Sequence, residues 1–318
     1  MMNKGLISFV IPCYNSTLTI RNVVEEIEKT VENNMKGYNY EIILVNDGSP
    51  DGTTFDAIIE IVKNNHHVKG INLSRNFGQP GAVMAAMSKA KGDYIVCGDD
   101  DGQTPFSELP KLFQKIDEGY DAVEAKYLCR EKRSIFRKFG TLMNEGMASW
   151  LINKPKGLEL TTYWVVKKFV ADDMVTYPNS YPYLGGLIMR ATQNVCNVGV
   201  THRERITGKS GYNLKKMIRL WLNGFTSFSV KPLRVMSLIG FSFSTMAFLW
   251  GLSIIIAKLS SEDIPVGYSS MMSINLILFG VLFMFLGLMG EYIGRIYMAL
   301  NKAPQYIIKE FIENTDES

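Results

Sequence analysis

Two long apolar segments near the C-terminus constrain the fold of this chain more than any other feature. Residues 235–257 form a run of 23 residues without a charge, and residues 271–290 form a second run of 20. An α-helix rises about 1.5 Å per residue, so either run can cross a hydrocarbon layer roughly 30 Å thick. Helices of a soluble core are rarely apolar on every face over such a length. The sequence therefore predicts two transmembrane helices behind a polar front part.

Charges around the two apolar runs predict their orientation. The linker between them, residues 258–270, is short and nearly neutral, whereas the outer flanks are basic. Basic flanks stay on the cytoplasmic side of a membrane. We therefore expect a multi-pass protein of the inner (cytoplasmic) membrane, with its large N-terminal domain in the cytoplasm. The flanking basic residues are Lys231, Arg234, Arg295, Lys302 and Lys309.

The front part of the chain alternates between short β-branched runs and amphipathic stretches. The predicted strands are residues 6–11, 41–45, 68–73 and 93–97, and the predicted helices are residues 18–33, 53–65 and 80–90. This alternation predicts an α/β fold with a doubly wound, mostly parallel sheet. Ligands of such sheets bind beyond the C-terminal ends of the strands, so the functional residues are expected there.

Each predicted strand runs into a polar, turn-forming segment. The segments are PCYN at residues 12–15, NDGS at residues 46–49, SRNFG at residues 74–78 and DDDGQ at residues 99–103. Any one of them could be an ordinary loop, because Asn, Asp and Gly favour turns. Four such segments at the same edge of a sheet predict a binding site.

The three consecutive aspartates carry most of the expected chemistry. Adjacent carboxylates repel one another unless a cation neutralises them, and oxygen ligands suit Mg²⁺ or Mn²⁺. Alternate residues of an extended segment face the same way, so Asp99 and Asp101 can share one cleft while Asp100 points elsewhere. A metal-bridged diphosphate is the expected ligand. The absence of GxGxxG and of GxxxxGKS/T argues against a dinucleotide site or a P-loop.

Residues 5–106 resemble the catalytic domain of glycosyltransferase family 2. The resemblance rests on residues 10–15, 45–49 and 75–78, and on the Asp-x-Asp of residues 99–101 with Gln103 following. With its two apolar runs, the whole chain is similar to polyprenyl-phosphate glycosyltransferases, the group that includes dolichol-phosphate mannose synthase. The resemblance implies a nucleotide-diphospho-sugar transferase fold, an inverting reaction and a homo-oligomer, specifically a tetramer.

The same resemblance implies roles for individual residues. Those expected to bind the nucleotide are Pro12, Tyr14, Asn15, Asp47 and Asp99. Those expected to hold Mg²⁺ or Mn²⁺ and the diphosphate are Asp99, Asp101 and Gln103. Two positions depart from the family pattern. Ser16 stands where the first motif usually ends in Glu, and Asp100 stands where the middle residue is usually small.

The acceptor is predicted from a missing acid and from a basic block. Residues 181–186, YPYLGG, hold no carboxylate where family members that act on sugars have a base. A phosphate acceptor needs no base, only cations. Residues 203–234 contain eight basic residues and one acid, and Arg203 and Arg205 alternate as they would in a strand. The residues expected to bind phosphate or acceptor are Arg130, Arg203, Arg205, Lys209 and Ser210, and Arg203 and Arg205 count as catalytic with Asp99 and Asp101.

Two further segments have the pattern of basic amphipathic helices. Residues 130–151 and 213–225 each place apolar side chains, including a Trp, on one face beside Lys and Arg. Helices of this kind lie in the interface of a membrane. They would bring the metal site close to the lipid headgroups, and no nucleic acid partner is expected.

The predicted organisation has four parts. Residues 1–129 form a nucleotide-sugar and metal-binding core, and residues 130–232 form an acceptor-side region. Residues 233–297 form the two transmembrane helices, and residues 298–318 form a cytoplasmic tail. The predicted reaction is transfer of a sugar from a nucleotide diphosphate, with a UDP-sugar as the first candidate, to a polyprenyl phosphate such as undecaprenyl phosphate.

Two alternatives to this prediction stay open. The first is a membrane-tethered glycosyltransferase that extends a saccharide, with Glu159, Asp172 or Asp173 as its base. The second is an inactive sugar-nucleotide binder that anchors an assembly. The intact acidic triplet argues against the second, since an inactive site has no need to hold three repelling carboxylates.

Overall fold

The computed structural model describes residues 4–128, 154–155, 157–180, 182–201, 203, 231–259, 267–301 and 303–314. The chain divides into two compact units. The first combines Met1–Leu214 with Lys302–Ser318, and the second is Lys215–Asn301. The end of the chain therefore belongs to the unit in which the chain began. The two predicted interfacial helices lie outside the described residues.

Strands and helices alternate along the first unit. The strands are β1 (Gly5–Cys13), β2 (Tyr38–Asn46), β3 (Val68–Leu73), β4 (Tyr94–Cys97), β5 (Ala122–Tyr127), β6 (Trp164–Lys167), β7 (Val195–Val200) and β8 (Ile308–Glu313). The helices are α1 (Ile20–Asn34), α2 (Thr54–Asn64), α3 (Gln79–Met87), α4 (Leu109–Asp117), α5 (Lys168–Val175) and α6 (Leu184–Ala191). A 3₁₀ turn, Phe106–Glu108, precedes α4.

All of these strands belong to one sheet, in the order β7-β5-β6-β4-β1-β2-β3-β8. β1 is parallel to β2 and β4, β2 to β3, and β5 to β7. β6 is antiparallel to both of its neighbours, and β8 is antiparallel to β3. The predicted α/β fold with a mostly parallel sheet is confirmed. β1 and β2 are longer than predicted because their ladder runs from Gly5 and Tyr38 to Cys13 and Asn46.

Apolar side chains of the central strands pack against the helices and fix the strands in place. Phe9 and Ile11 of β1 are fully buried in a hydrophobic cluster to which α1, α2 and α4 contribute. Phe9 meets Phe106 edge-on, with ring centroids 6.1 Å apart. Burying one such side chain contributes about 1.5–3 kcal/mol relative to leaving it exposed. This packing fixes the strands from whose ends the polar motifs emerge.

The last strand of the sheet, β8, is a feature that the sequence analysis did not predict. It lies within the predicted tail and pairs with β3, where Ile312 is opposite Gly70. A Cβ on Gly70 would lie 2.6 Å from Cγ1 of Ile312, so the glycine leaves room for that side chain. β8 escapes prediction because it is short, charged and isolated from the other strands in sequence.

The second unit consists of two long helices, α7 (Lys231–Leu259) and α8 (Tyr268–Leu300). They contain the two predicted apolar runs. Leu233–Trp250 and Ile277–Leu300 have the length and hydropathy needed to cross a membrane. Large apolar side chains are exposed along both helices, for example Phe241 at 73% and Phe283 at 69%. Such exposure is unfavourable in water and suits a hydrocarbon environment.

Candidate active site

The polar motifs that follow β1, β2, β3 and β4 lie at the same edge of the sheet. The register places Cys13 opposite Asn46 and Asn46 opposite Asn72. The amide of Asp47 donates to the carbonyl of Cys13 over 3.0 Å, and the amide of Asn15 donates to Oγ of Ser49 over 3.1 Å. The first two motifs are therefore hydrogen-bonded to each other, and the carboxylates of Asp47 and Asp100 connect them to the third and fourth motifs.

Asp99, the first of the three consecutive aspartates, is held by two side-chain hydrogen bonds. Its Oδ1 accepts a hydrogen bond of 2.7 Å from Nε2 of Gln79, and its Oδ2 accepts one of 2.5 Å from Oγ1 of Thr162. Burial raises the pKa of Asp99 to about 6, and the charges of Asp101 and Asp100 act in the same direction. A site that makes a carboxylate this reluctant to ionise is stabilised by a cation.

Asp99 and Asp101 have the chemistry of a divalent-cation site. Asp101 accepts the backbone amide of Gln103 over 3.0 Å, while Nε2 of Gln103 donates to the carbonyl of Arg203 over 3.3 Å. The part of the chain that the structure describes contains no cluster of three or more acidic, His or Cys ligands. Two carboxylates, with the shell completed by diphosphate and water, suit Mg²⁺ or Mn²⁺. The residues thus fit the predicted metal.

Asp100 faces the loop between β1 and α1. Its Oδ2 accepts hydrogen bonds from the amide of Tyr14, over 3.1 Å, and from Oγ of Ser16. Ser16 and Asp100 are the two positions at which the chain departs from the family pattern, and they bind each other. A Glu at position 16 would repel Asp100, so the serine and the aspartate are physically matched.

The hydrogen bond between Ser16 and Asp100 predicts that Ser16→Glu reduces activity by about tenfold or more. Two carboxylates about 4 Å apart cost about 1–4 kcal/mol, depending on the local dielectric. The double variant Ser16→Glu with Asp100→Ala removes the repulsion and should recover most of the loss. Rates of sugar transfer and melting temperatures of the two variants check this. Equal loss in the single and the double variant would contradict it.

Asp47 binds the loop between β3 and α3. Its Oδ1 accepts the amide of Phe77 over 2.7 Å, and its Oδ2 accepts the amide of Gly78 over 2.9 Å. Burial raises the pKa of Asp47 to about 6. Gly48 follows with a φ of +61°, and a Cβ there would lie 2.4 Å from the backbone of Arg75. The carboxylate thus organises the third motif, and its contact with a nucleoside stays a prediction.

The remaining predicted nucleotide-binding residues line the same edge. Pro12 is buried, whereas Tyr14 and Asn15 are exposed, and Asn15 has a φ of +55°. A cavity of about 380 Å³ opens at the ends of β2 and β3, and one of its lining residues, Ser49, accepts the amide of Asn15. The polar and charged residues lining it include Asn46, Ser49, Asn72, Arg75 and Lys309. A ligand of nucleoside size could enter this edge of the sheet.

Arg203, which is predicted to bind phosphate, forms an ion pair with Glu26 of α1 in this structure. Its Nη1 donates to both carboxylate oxygens of Glu26, over 2.9 and 2.8 Å, and its Nη2 donates to Oγ of Ser107 over 2.8 Å. The guanidinium therefore ties the chain to α1. A phosphate role for Arg203 stays a prediction. Arg130, Arg205, Lys209 and Ser210 lie outside the described residues.

The acids considered as alternative bases have cationic partners in two cases. Glu159 pairs with Lys126 over 3.3 Å, and Asp173 pairs with Arg190 over 2.9 Å. Asp172 is exposed on α5. Two of the three acids are therefore already engaged with a cation in this structure.

Comparison with protein families identifies the chain. Residues 8–174, more than half of its length, match the family model for glycosyl transferase family 2. The chain belongs to glycosyl transferase family 2. Residues 231–296 match a second family model, the GtrB C-terminal hairpin, which covers most of α7 and α8. The predicted membership in the polyprenyl-phosphate group of this family is confirmed.

Curated relatives resemble this family 2 glycosyltransferase along almost its whole length. It is 32% identical over 307 residues to the uncharacterized glycosyltransferase YkcC of Bacillus subtilis (strain 168), covering 95% of this chain and 93% of that protein. It is 30% identical over 316 residues to the undecaprenyl-phosphate 4-deoxy-4-formamido-L-arabinose transferase of Shewanella sediminis (strain HAW-EB3), covering 98% and 93%. The similarity therefore includes both units.

Solved structures share the fold of the glycosyltransferase. Mannosyl-3-phosphoglycerate synthase from Rubrobacter xylanophilus is 17% identical, with a TM-score of 0.51 over 72% of this chain and 74% of that chain. Glucosyl-3-phosphoglycerate synthase from Mycobacterium tuberculosis, in complex with Mn²⁺, UDP and phosphoglyceric acid, is 17% identical, with a TM-score of 0.50 over 70% and 77%. At these identities the likeness shows the fold alone.

Several residues that shape the site of this glycosyltransferase were missed by sequence reasoning. Gln79 and Thr162 hold Asp99, but neither belongs to the motifs quoted for the family. Glu124 on β5 is fully buried, and its Oε2 accepts the amide of Thr161 over 2.9 Å. Its Oε1 has no hydrogen-bond partner among the described residues, and burial raises its pKa to about 8. Such tertiary contacts leave no local pattern in the sequence.

Because the pKa of Glu124 is raised, the difference in melting temperature between wild type and Glu124→Gln should depend on pH. The folded state holds the proton up to about pH 8, whereas an unfolded Glu releases it near 4.5. The stability that this proton contributes is complete below pH 4.5 and is lost as the pH rises to about 8. The variant cannot titrate there, so its melting temperature should rise relative to wild type between pH 5 and 8. A difference in melting temperature that stays constant between about pH 5 and 8 would contradict the prediction.

Proposed function

We propose that this glycosyltransferase moves a sugar from a nucleoside diphosphate to a polyprenyl phosphate, with inversion, at the cytoplasmic face of the membrane. The observation that carries the proposal is the hydrogen-bonded acidic cluster at the end of β4, in a chain with two helices of membrane-spanning length. The undecaprenyl-phosphate 4-deoxy-4-formamido-L-arabinose transferase of Shewanella sediminis matches 98% of this chain, which supports a lipid phosphate acceptor.

The donor is proposed to bind at the C-terminal ends of β1, β2 and β4. When bound, a divalent cation supplies Lewis-acid stabilisation of the departing diphosphate. Asp99 and Asp101 would hold it, while Gln79 and Thr162 keep the Asp99 carboxylate in place. UDP is the first nucleotide to test because the mycobacterial glucosyl-3-phosphoglycerate synthase was solved with UDP and Mn²⁺. Tyr14 and Asn15 are the exposed residues available to the nucleoside.

The acceptor is proposed to be a phosphate because it needs no proton acceptor from the protein. A phosphate monoester already carries a negative oxygen near neutral pH, so attack on the anomeric carbon requires only positioning. The bond to the leaving diphosphate breaks as the bond to the acceptor oxygen forms. A saccharide acceptor would require a base, and two of the acids considered for that role, Glu159 and Asp173, are each engaged in an ion pair.

The sidedness of the enzyme is proposed from charge and from topology. Basic residues flank the outer ends of the two helices, which favours a cytoplasmic location for both flanks. β8 follows α8 and joins the same sheet as β1 to β7. Two crossings return the chain to the side on which it started, so a transmembrane α7–α8 pair is consistent with one continuous sheet on that side.

The test is transfer of label into lipid. Purified full-length protein is incubated with Mn²⁺ or Mg²⁺, a panel of labelled UDP-, GDP- and dTDP-sugars, and undecaprenyl phosphate. Label in the organic phase, dependent on the metal and on the lipid phosphate, is the expected result. If the protein binds nucleotide but forms no lipid-linked sugar with any donor of the panel, the proposal is wrong. Label transferred to an added saccharide would favour the alternative of a saccharide-extending enzyme.

A further inference from the structure

The segment that follows α8 lies along the loop that organises the donor side of the site. This return segment, residues 303–309, includes the first two residues of β8 and belongs to the first unit. The carbonyl of Ile307 accepts a hydrogen bond of 3.0 Å from the amide of Ser74, the first residue after β3. The return segment thus touches the start of the β3–α3 loop.

The same segment touches the other end of this loop, in the first turn of α3. A Cβ on Gly81 would lie 2.8 Å from the carbonyl oxygen of Gln305 and 2.9 Å from Cβ of Phe77. Any larger residue at position 81 would push the return segment or the loop aside. The close approach of the two backbones therefore depends on this glycine.

Two side-chain hydrogen bonds fix the beginning of the return segment. Oγ of Ser180 donates to the carbonyl of Ala303 over 2.8 Å. Nε2 of Gln305 donates to the carbonyl of Tyr177. These bonds attach the segment to the region between α5 and α6, independently of the β3–β8 ladder. The segment is therefore held at several points before the strand begins.

Between the two contacts with the return segment lie the residues that hold both key carboxylates. The amides of Phe77 and Gly78 bind Asp47, and the side chain of Gln79 binds Asp99. Lys309 of the return segment also lines the 380 Å³ cavity together with Arg75. The segment thus braces the loop at both ends and adds a cation to the lining of this cavity.

We propose that the return segment is a positioning element of the donor site: by bracing residues 74–81, it sets the affinity for a nucleoside diphosphate. The identity of the ligand rests on the function proposed above, whereas the bracing does not. The part of the chain that follows the membrane helices would then be required for donor binding. Ser180 and Gln305 act through the loop, so they are positioning residues.

The test uses full-length protein in lipid nanodiscs and the double variant Ser180→Ala with Gln305→Ala. The variant loses two anchoring hydrogen bonds but keeps the β3–β8 ladder, so it should fold. Hydrogen exchange of the peptide covering residues 74–81 is measured, together with binding of UDP in the presence of Mn²⁺. We expect faster exchange and UDP binding weaker by about five- to thirtyfold, the change that the loss of one or two hydrogen bonds produces.

A matched control and a kinetic comparison separate positioning from general destabilisation. Glu310→Ala alters an exposed side chain of β8 and should leave both exchange and UDP binding at wild-type values. In the double variant the KM for the donor should rise while the KM for the lipid acceptor is unchanged. Unaltered exchange of residues 74–81 in the double variant would overturn the proposal, whatever nucleotide the protein uses. Failure to form lipid-linked product would instead overturn the proposed function and leave the exchange result standing.

Discussion

Replacing Asp101 by Ala should reduce sugar transfer by about 1,000-fold or more. A metal ion that stabilises the charge of the departing diphosphate contributes several kcal/mol to the transition state, and about 1.36 kcal/mol corresponds to a factor of ten in rate. Asp101 is one of two carboxylates proposed to hold that ion, and it accepts the amide of Gln103 in its own loop. The rate of label transfer at saturating donor and Mn²⁺ measures the effect.

Asp117→Ala is the matched control for this prediction. Asp117 is an exposed carboxylate at the end of α4, so its removal should leave transfer at the wild-type rate. Both variants should melt within a few degrees of wild type, since Asp101 is not part of the apolar core. A metal-dependent rate in Asp101→Ala above about a tenth of wild type would show that Asp101 is not a ligand.

Replacing Asp47 by Asn should weaken donor binding at least about tenfold and lower the free energy of unfolding by about 2–3 kcal/mol. Both oxygens of Asp47 accept backbone amides, those of Phe77 and Gly78. An Asn side chain offers one acceptor oxygen and turns an NH₂ group toward the second amide, which is then buried without a partner. The β3–α3 loop should lose its position, and Gln79 should lose its hold on Asp99.

Two measurements check the Asp47 prediction separately. Denaturant unfolding gives the change in stability, and titration with UDP and Mn²⁺ gives the change in donor affinity. Asp117→Asn makes the same chemical change at an exposed position and should alter neither quantity. Stability loss with unchanged nucleotide affinity would show that the loop organised by Asp47 does not contribute to donor binding.

The sequence was sufficient to predict the strands and the motifs of the first half of the fold because both depend on local pattern. β3 has the predicted bounds, residues 68–73, and the four polar motifs do follow β1, β2, β3 and β4. Burial of β-branched strands between helices is visible in composition, and turn residues mark the strand ends. The two apolar helices were predictable for the same reason, since length and hydropathy are local properties.

Contacts between distant parts of the chain were not predictable in the same way. The side chain of Thr162 reaches Asp99 across 63 positions in sequence, and Arg203 reaches Glu26 across 177. The alternation of Arg203 with Arg205 predicted a phosphate site. It gave no sign that the fold also pairs Arg203 with the carboxylate of Glu26. The pairing of Ser16 with Asp100 also becomes visible only when two loops meet.

The sheet can be completed only after α7 and α8 have been synthesised, because β8 follows them in the chain. β8 is the last strand in the chain, and α7 and α8 emerge from the ribosome before it does. Until they have been synthesised, β3 presents an unpaired edge, with Gly70 open where Ile312 will pack. Exposed strand edges promote aggregation. A shortened form that ends before α7 should therefore aggregate, because the strand that completes the sheet is synthesised only after both helices.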